Sequence, residues 1–474
     1  MKPFIQYLST LERARIASAA TELLERVGVR LTEPEARELL EGVGARIDVD
    51  RVFIPTAVVE RAVEAAPSTL QLYGRPGDVA MELDGSSAYF GAHTDAPDVL
   101  DPFDGARRSC TERDVGLHAS LIEHLEHIAF ATASGMVADR DPEVADRAAL
   151  AQCLIHSEKP VLAMPVTLGS LRDCHEMALI AAGGERALRR RPSLIVYAEP
   201  VSPLVHPDDS VRRLLYCAEH GIPVVYSGYA AMGGTAPMSP AAITVQLCAE
   251  SLSALTIHQL KQPGAPFIFG GMASVMDMQT TVFSYGAPEF QRGNTLMAEM
   301  ADVFRLPNFG TAGTSDAQVF DGQAVMEATS SCMLAYLSGA DLVHDVGLLG
   351  NATVVVPEMI VVTDAIVAML PHLIGSLDVS EEDLAVNVFT DVGPGGEFVT
   401  HEHTFAHFRD VWYPELLFRG GAEAWAASDQ AAFEERVRQK TTRLMDGARS
   451  LVLPEETAAA ILDVVDRAEE RIQS

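Results

Sequence analysis

Eight short apolar runs recur between Ser87 and Gly347 at intervals of about 30 to 43 residues, and this repeat constrains the fold most strongly. Each run ends in small or polar residues and is followed by an amphipathic stretch. The runs are SAYFGAH (87–93), HIAFATASG (127–135), KPVLAMPV (159–166), PSLIVYAE (192–199), IPVVYSGY (222–229), APFIFGG (265–271), PNFGTAG (307–313) and ADLVHDVG (340–347). A strand followed by a helix, eight times over, predicts an α/β protein built as a (β/α)8 TIM barrel.

The chain of 474 residues is longer than a bare barrel, which needs about 250. We expect three parts: residues 1–86 as an N-terminal helical extension with lead-in strands, residues 87–350 as the barrel core, and residues 351–474 as a C-terminal helical region packed on the barrel. Since no low-complexity linker separates these parts, the sequence predicts one compact unit.

Charge and cysteine usage exclude several classes of protein. The formal net charge of −31 argues against nucleic-acid binding, which needs clustered Lys and Arg. No stretch approaches 18 uninterrupted apolar residues, so neither a membrane span nor export is expected. The six cysteines are scattered without a C-x-x-C pair, which is typical of a reducing compartment. The sequence therefore predicts a cytoplasmic protein.

In a TIM barrel the active site lies at the carboxyl ends of the strands, so the polar and aromatic ends of the runs are the candidate site residues. Lysine is rare, and the two lysines in this region begin a run (Lys159) or end a helix (Lys261), which disfavours Schiff-base chemistry. The candidates are Tyr89, His93, Tyr197, Glu199, Tyr226, Tyr229, Phe269, Asp316, His344 and Asp345.

Two local patterns suggest other chemistry. HEHTFAH carries His401, His403 and His407, and the last two lie four apart on one helix face, but no further metal-ligand motif accompanies them. DCHEMA (Asp173 to Ala178) approaches the D-x-H-x-x-G loop by which corrinoid-carrying domains ligate cobalt, yet it lies in a helical pattern and lacks the glycine. We therefore expect no metal site and no corrinoid carried by this chain.

Five aromatic residues at strand ends suggest the kind of ligand. A quaternary ammonium cannot donate a hydrogen bond, and the faces of aromatic rings bind it instead. The alternative is ordinary packing, because alternation along a strand sends every second side chain outward toward the helices. The five residues are Tyr89, Tyr197, Tyr226, Tyr229 and Phe269.

Long segments of the chain resemble the trimethylamine methyltransferase family. They are residues 228–271 (GYAAMGGTAPMSP onward), residues 316–349 (DAQVFDGQAVME onward), residues 401–425 (HEHTFAHFRDVWYPELLF onward) and residues 101–115 (DPFDGARRSCTERDV). The resemblance implies a barrel enzyme that takes a methyl group from a methylated amine. It further implies transfer to Co(I), in the cobalamin of a separate corrinoid protein, with no cofactor bound by this chain.

Within this family, trimethylamine enzymes carry pyrrolysine near the end of the eighth strand, and a larger branch that includes glycine betaine methyltransferases lacks it. This sequence contains no pyrrolysine, so the resemblance implies the second branch. A quaternary amine leaves as a neutral amine and mainly needs positioning, which favours glycine betaine as substrate. Proline betaine, carnitine, choline and trimethylamine stay open, as does a non-catalytic barrel that binds quaternary amines.

For a betaine, the carboxylate needs donors and the ammonium needs π-faces or negative charge. We expect His344 to bind the carboxylate, with His93 as the second candidate, and Glu199 or Asp316 to supply charge near the ammonium. The alternative for His344 is a core histidine paired with Asp345. The predicted catalytic residues are His344, Asp345 and Glu199. The predicted substrate-binding residues are Tyr89, His93, Tyr197, Tyr226, Tyr229, Phe269, Asp316 and His344.

Two helix-borne residues of the family-like DGQAVME segment, Gln323 and Glu327, are expected to orient the loop after the seventh strand. The expected partners are a small quaternary amine and a cognate corrinoid protein. A homo-oligomer is expected from the family and the chain length.

Overall fold

A closed barrel of eight parallel strands forms the centre of the computed structural model, which describes residues 4–92, 96–133, 136–447 and 451–473. Each strand pairs with the next in sequence, and the last closes the barrel on the first. Since every strand overlaps one predicted run, the TIM-barrel prediction is confirmed. In chain order the strands are β1 (Tyr89–Ala92), β2 (Ile128–Ala133), β3 (Val161–Ala163), β4 (Leu194–Ala198), β5 (Val224–Met232), β6 (Phe267–Val275), β7 (Asn308–Thr311) and β8 (Leu342–Val346).

A helix follows each strand and covers the outside of the barrel. Three of them begin at a proline, whose fixed φ and missing N–H suit the first helical position. Three others end at Gly183, Gly221 and Gly339, whose φ values of 79°, 67° and 76° are left-handed and favour glycine. The eight helices are Glu112–Glu123, Ala145–His156, Leu168–Ala182, Asp208–His220, Pro240–Lys261, Pro288–Phe304, Gly322–Ser338 and Pro357–Ile374, with Glu185–Arg190 as a short addition before β4.

Alternation along the strands divides the core into two layers. The inner layer fills the barrel with side chains such as Phe130, Ile195 and Phe309, and the outer layer packs between the strands and the helices. A hairpin of strands Leu70–Tyr73 and Val79–Leu83 adds further apolar side chains to the inner layer. It therefore closes the amino-terminal end of the barrel and leaves the carboxyl end for a site.

The N-terminal part packs beside the barrel. Its helices are Thr10–Arg26, Pro34–Gly42 and Thr56–Ala65, and its strands Arg46–Asp48, Arg51–Phe53 and Val29–Leu31 form a sheet that Val205–His206 extends. A second small sheet joins Asp98–Leu100 and Arg107–Ser109, which follow β1, to Val354–Val355 and Leu348–Leu349, which follow β8. Both sheets are therefore connected to loops at the carboxyl ends of the strands.

Only part of the C-terminal region packs on the barrel. Helix Phe433–Gly447 lies against Pro357–Ile374, and helix Glu455–Gln473 lies against Ala145–His156 and Leu168–Ala182. Between Pro357–Ile374 and Phe433–Gly447 come the short helices Glu381–Leu384, Val386–Val392, Glu402–His407 and Ala422–Ala427. All of residues 371–415 are described, and none of them is buried. The boundaries of the three predicted parts stay a prediction.

Two helices, Pro240–Lys261 and Pro357–Ile374, are long and apolar enough to cross a membrane by composition. Most of each apolar window, 78% and 61% respectively, is buried inside the fold. They are therefore core helices that cover the barrel.

Candidate functional site

A cavity of about 410 Å³ opens at the carboxyl ends of the strands, where the sequence predicts the site. Larger recesses lie on the helical surface beside Glu112 and at the opposite end of the barrel beside Tyr89, away from the strand ends. We therefore assign the site to the smaller cavity. It is lined by Met164, Tyr197, Glu199, Pro200, Val201, Ser202, Tyr229, Thr235, Met272, Tyr285, His344 and Asp345.

The end of β4 supplies a hydrogen-bonded pair to the cavity. The Tyr197 hydroxyl lies 3.0 Å from Oε2 of Glu199 and 3.2 Å from the carbonyl oxygen of Ser227. Solvent reaches the Glu199 side chain through the open mouth, yet the cavity walls surround much of the carboxylate. This desolvation raises the pKa of Glu199, while the Tyr197 hydroxyl and the charge of Arg213 oppose the shift. Glu199 is therefore a carboxylate that can change its protonation in the cavity.

The end of β8 places two consecutive side chains in the same cavity. In a regular strand His344 and Asp345 would point to opposite faces. Here the pairing of β8 with β1 shifts register between Val343 and Val346, and Asp345 has a left-handed φ of 73°. Such a conformation costs a non-glycine residue roughly 1 to 3 kcal/mol and is typical of functional sites. The irregularity therefore brings both side chains to one place.

Both nitrogens of the His344 ring face oxygen atoms. Nδ1 lies 2.8 Å from the Gly310 carbonyl oxygen, to which it donates, and Nε2 lies 3.3 Å from Oδ2 of Asp345. His344 and Asp345 are each 2% exposed. With Nδ1 donating to the Gly310 carbonyl oxygen, Nε2 is the ring nitrogen that faces the Asp345 carboxylate in the cavity.

Aromatic rings form the rest of the wall. Tyr229 stacks on Phe283 with ring centroids 4.1 Å apart, and Phe283 contacts Tyr285 edge to face at 5.1 Å. Burial raises the pKa of the hydroxyls of Tyr197, Tyr229 and Tyr285, and the nearby charge of Asp345 adds to each shift. Asp345 is therefore close to all three tyrosines, and the cavity combines π-faces with negative charge.

Asp316 holds the wall but does not line the cavity. Its Oδ1 accepts hydrogen bonds from the Tyr285 N–H at 2.8 Å and from Nδ2 of Asn351 at 2.8 Å. Its Oδ2 accepts from the Gly286 N–H at 3.0 Å and from the Ser284 hydroxyl. Both oxygens are used by protein donors, and Asp316 is not among the lining residues, so its supply of negative charge near an ammonium stays a prediction. Its carboxylate fixes the loop that carries Tyr285.

The two helix-borne residues lie behind this loop. Oε2 of Glu327 accepts from the Asp316 N–H at 3.0 Å, and its Oε1 accepts from Nε2 of Gln323 at 3.0 Å. Both thus contact the loop after β7, and neither is among the residues that line the cavity.

Three of the predicted aromatic residues lie elsewhere. Tyr89 is at the amino-terminal end of β1, where its hydroxyl accepts from the Glu82 N–H at 3.2 Å. Tyr226 and Phe269 are fully buried in the outer layer, and the Tyr226 hydroxyl lies 2.7 Å from Nδ1 of His206. Placing these three in the cavity was wrong, because position within a run does not fix which face a side chain takes. His93 lies outside the described residues.

The structure also adds residues that the sequence analysis missed. Tyr285 comes from the loop between β6 and the helix that begins at Pro288, and no strand periodicity marks it. Met164 stands at the end of the third run and was a foreseeable member. Ser202 and Thr235 follow β4 and β5, where their hydroxyls bond to Glu250 and to the Ala231 N–H.

The side chains of the two local patterns, HEHTFAH and DCHEMA, bond to neighbouring protein groups. His401 Nδ1 accepts from the His403 N–H at 3.1 Å, and His407 Nδ1 lies 2.9 Å from Oδ2 of Asp410. Within the described ranges there is no group of three or more His, Cys, Asp or Glu that could hold a metal ion. DCHEMA lies within helix Leu168–Ala182, where Asp173 is paired with Arg147 and is not part of a loop.

Comparison with known proteins identifies the family of this chain. The family model described as trimethylamine methyltransferase matches residues 1–473. The trimethylamine methyltransferase MttB of Desulfitobacterium hafniense is 29% identical over 465 residues, covering 96% of this chain and 92% of the relative. The glycine betaine methyltransferase of Desulfitobacterium hafniense is 27% identical and covers 87% of this chain and 86% of its own length.

Among solved structures, the crystal structure of the Methanosarcina barkeri monomethylamine methyltransferase MtmB is similar, with a TM-score of 0.50 and 12% identity. The match covers 93% of this chain and 88% of that chain, and at this identity it supports the fold alone. The family match spans nearly the whole sequence, and the closed eight-stranded barrel agrees with the fold of that solved structure. This chain therefore belongs to the trimethylamine methyltransferase family and is a methyltransferase.

Proposed function

We propose that this chain transfers a methyl group from a quaternary amine to Co(I) of a separate corrinoid protein, with glycine betaine as the first candidate substrate. The observation that carries the proposal is the open cavity at the strand ends, where the rings of Tyr197, Tyr229 and Tyr285 meet the carboxylates of Glu199 and Asp345. Family membership supports methyl transfer to a corrinoid protein. The side chains that line the cavity support a quaternary amine as the methyl donor.

The cavity is suited to a cation that cannot donate hydrogen bonds. Tyrosine faces attract a quaternary ammonium through the ring quadrupole, by about 0.5 to 2 kcal/mol per ring depending on desolvation. The nearby carboxylates add attraction and are compensated when the cation binds. In the reaction, the lone pair of Co(I) forms the bond to the methyl carbon and the C–N bonding pair stays on nitrogen. The amine leaves neutral, so the protein mainly holds the ammonium in line with the attacking cobalt.

His344 is the residue we assign to the carboxylate of glycine betaine. It lines the cavity, and its Nε2 points toward Asp345 at 3.3 Å. A substrate carboxylate that approaches Nε2 of His344 competes with Asp345 for the Nε2 proton. His344 and Asp345 therefore act together in binding the substrate. We assign the catalytic roles to His344 and Asp345, which position the substrate, and to Glu199, which stabilises the ammonium.

A specific observation favours a second candidate, a quaternary cation without a carboxylate, such as choline. The described lining holds two acidic side chains and neither Lys nor Arg. A free carboxylate in this cavity therefore meets repulsion from Glu199 and has only the shared His344 proton as a charged partner. Proline betaine, carnitine and trimethylamine stay in the test set, as does a barrel that binds quaternary amines without catalysis.

The experiment is the visible absorbance of a reduced corrinoid protein mixed with this chain and, in turn, glycine betaine, proline betaine, carnitine, choline and trimethylamine. Methylation of the corrinoid with a quaternary amine and none with trimethylamine supports the proposal and names the substrate. Binding of an amine by calorimetry without methylation, in the presence of the cognate corrinoid protein, indicates the non-catalytic alternative. Methylation with trimethylamine alone refutes the choice of a quaternary amine.

The setting proposed for this reaction is the cytoplasm, with the corrinoid protein as a separate partner and no nucleic acid or membrane involved. The net charge of −31 and the six buried free cysteines support it.

A further inference from the structure

The C-terminal arm, residues 376–411, is a segment without a core of its own. All of its residues are described, none is buried, and its three short helices, Glu381–Leu384, Val386–Val392 and Glu402–His407, bury no side chain. Ten of its large apolar side chains are exposed, among them Leu377 at 86%, Phe389 at 62% and Phe405 at 78%. Exposure of this much apolar surface in one segment is typical of an interaction site, and four of the rings already pair with each other, Phe389 with Phe398 and Phe405 with Phe408.

The amount of apolar surface is enough for a stable interface. Taking about 150 to 250 Å² for a fully exposed aromatic side chain and somewhat less for Leu and Val, the ten side chains together expose roughly 1,000 Å². A stable interface buries about 800 Å² on each partner. If two copies exchange their arms, the total area buried by both arms and by the surfaces that receive them falls in the range of obligate homodimers, roughly 2,000 to 5,000 Å².

The arm is rooted at the end of the barrel opposite the cavity. It leaves helix Pro357–Ile374 beside Pro371, which lines the recess at the amino-terminal end together with Tyr89. It returns at Trp412, whose ring lies 6.2 Å from that of His372. A corrinoid protein has to present its cobalt at the cavity, so the arm starts and ends on the wrong face for that partner.

Charge indicates which surface receives the arm. The arm carries eight acidic residues and one arginine. The helix Glu185–Arg190 directly precedes β4, and the following Arg191 lies against Gly77 of the hairpin that closes the barrel, so this helix is on the same amino-terminal face. It presents the exposed Arg186, Arg189 and Arg190, a basic cluster in a chain with a large acidic excess. A second copy therefore offers a surface of the opposite charge.

We propose that the C-terminal arm packs on the amino-terminal face of a second copy of this chain and forms a permanent homo-oligomer. A second copy fits the arm better than the corrinoid protein does, because it can stay bound permanently. A corrinoid protein that accepts a methyl group and passes it on has to dissociate, which would expose the arm's apolar side chains to water in each cycle. The cavity stays open to the corrinoid protein in this arrangement, since the contact lies at the other end of the barrel.

The test is the mass of the full chain in solution, measured by sedimentation at micromolar concentration. The variant Leu377→Ser, Phe389→Ser, Phe405→Ser removes apolar side chains of the arm. The matched control removes exposed apolar side chains elsewhere, by Val49→Ser, Val319→Ser and Met326→Ser. We expect a dimer or larger oligomer for the natural sequence and the control, and at least a tenfold weaker association for the arm variant.

A second variant replaces residues 376–411 by a short Gly-Ser linker, which the 6.2 Å distance between the His372 and Trp412 rings permits. It should be a monomer with an unchanged melting curve for the barrel. A natural sequence that is monomeric overturns the proposal, as does an oligomer that survives removal of the arm. A monomeric chain whose arm variants lose binding to the corrinoid protein overturns it in favour of that partner.

Discussion

Two tyrosines that look alike in the sequence differ in the structure, and the same substitution in each separates binding from packing. Tyr285 lines the cavity, whereas Tyr226 is buried on the other side of the barrel wall with its hydroxyl 2.7 Å from Nδ1 of His206. We predict that Tyr285→Leu weakens binding of the quaternary amine and that Tyr226→Leu does not. The second substitution instead lowers the free energy of unfolding.

The magnitudes follow from the two environments. Tyr285 is enclosed by Tyr229, Phe283 and Phe290, so its contact with a cation is largely desolvated and contributes about 2 kcal/mol. Loss of this contact raises the Kd roughly 30-fold. Tyr226→Leu leaves a buried nitrogen of His206 without its partner and creates a small cavity, which together destabilise the fold by roughly 2 to 4 kcal/mol.

The assay is calorimetric titration with the amine that supports methyl transfer and with tetramethylammonium, which isolates the cation from any carboxylate. Urea unfolding of each variant measures the free energy of unfolding and shows that the protein is folded at the assay temperature. An unchanged Kd for Tyr285→Leu refutes the aromatic site, and so does a folded Tyr226→Leu protein whose Kd rises as much as that of Tyr285→Leu.

Three further changes test the neighbouring side chains. His344→Ala should raise the Kd of glycine betaine roughly tenfold or more, the scale of a charge-assisted hydrogen bond, and leave that of tetramethylammonium nearly unchanged. Asp316→Asn removes an acceptor of the Tyr285 loop and should raise the Kd of both ligands roughly threefold to tenfold. Because burial raises the pKa of Glu199, the affinity for tetramethylammonium should fall as pH is lowered through that raised pKa, and Glu199→Gln should remove this pH dependence.

Each change has its own control. Equal effects of His344→Ala on both ligands contradict the carboxylate role. For Asp316→Asn the control is Asp277→Asn. Asp277 is exposed, and its carboxylate accepts from the Gln279 N–H within the loop after β6, the loop that carries Tyr285. An equal loss of affinity in both variants contradicts the positioning role of Asp316. A Glu199→Gln protein that keeps the pH dependence of the natural sequence assigns the titration to another group.

Local patterns in the sequence predict much of the architecture. The eight apolar runs coincide with the eight barrel strands, because a strand between two covered faces needs a short apolar run and a parallel neighbour needs a helical crossover. Family membership was also readable from long contiguous segments such as residues 228–271 and 316–349, and the match over residues 1–473 confirms it. His344, Asp345, Glu199, Tyr197 and Tyr229 line one cavity, as their positions at strand ends indicated.

The sequence did not determine whether a strand-end side chain faces the cavity or the surrounding helices. Tyr226 and Tyr229 belong to the same run, yet the first faces the helices and the second faces the cavity. His344 and Asp345 share the cavity only because register shifts and φ becomes left-handed at the end of β8. Both depend on pairing with neighbouring strands that are remote in the chain, so periodicity along one strand cannot give them.

The loops and the arm show the same division between local and tertiary information. Tyr285 reaches the cavity because Asp316, from the loop after β7, holds the backbone of the loop after β6, a contact between segments about 30 residues apart. Residues 376–411 have helical patterns and apolar side chains, which the sequence indicates, but only the tertiary structure shows that this chain buries none of them. Local sequence thus determines which strands and helices form, because apolar periodicity, helix caps and turns involve residues that are close in the chain. Tertiary packing decides which side chains meet, because burial depends on neighbours that the local pattern does not encode.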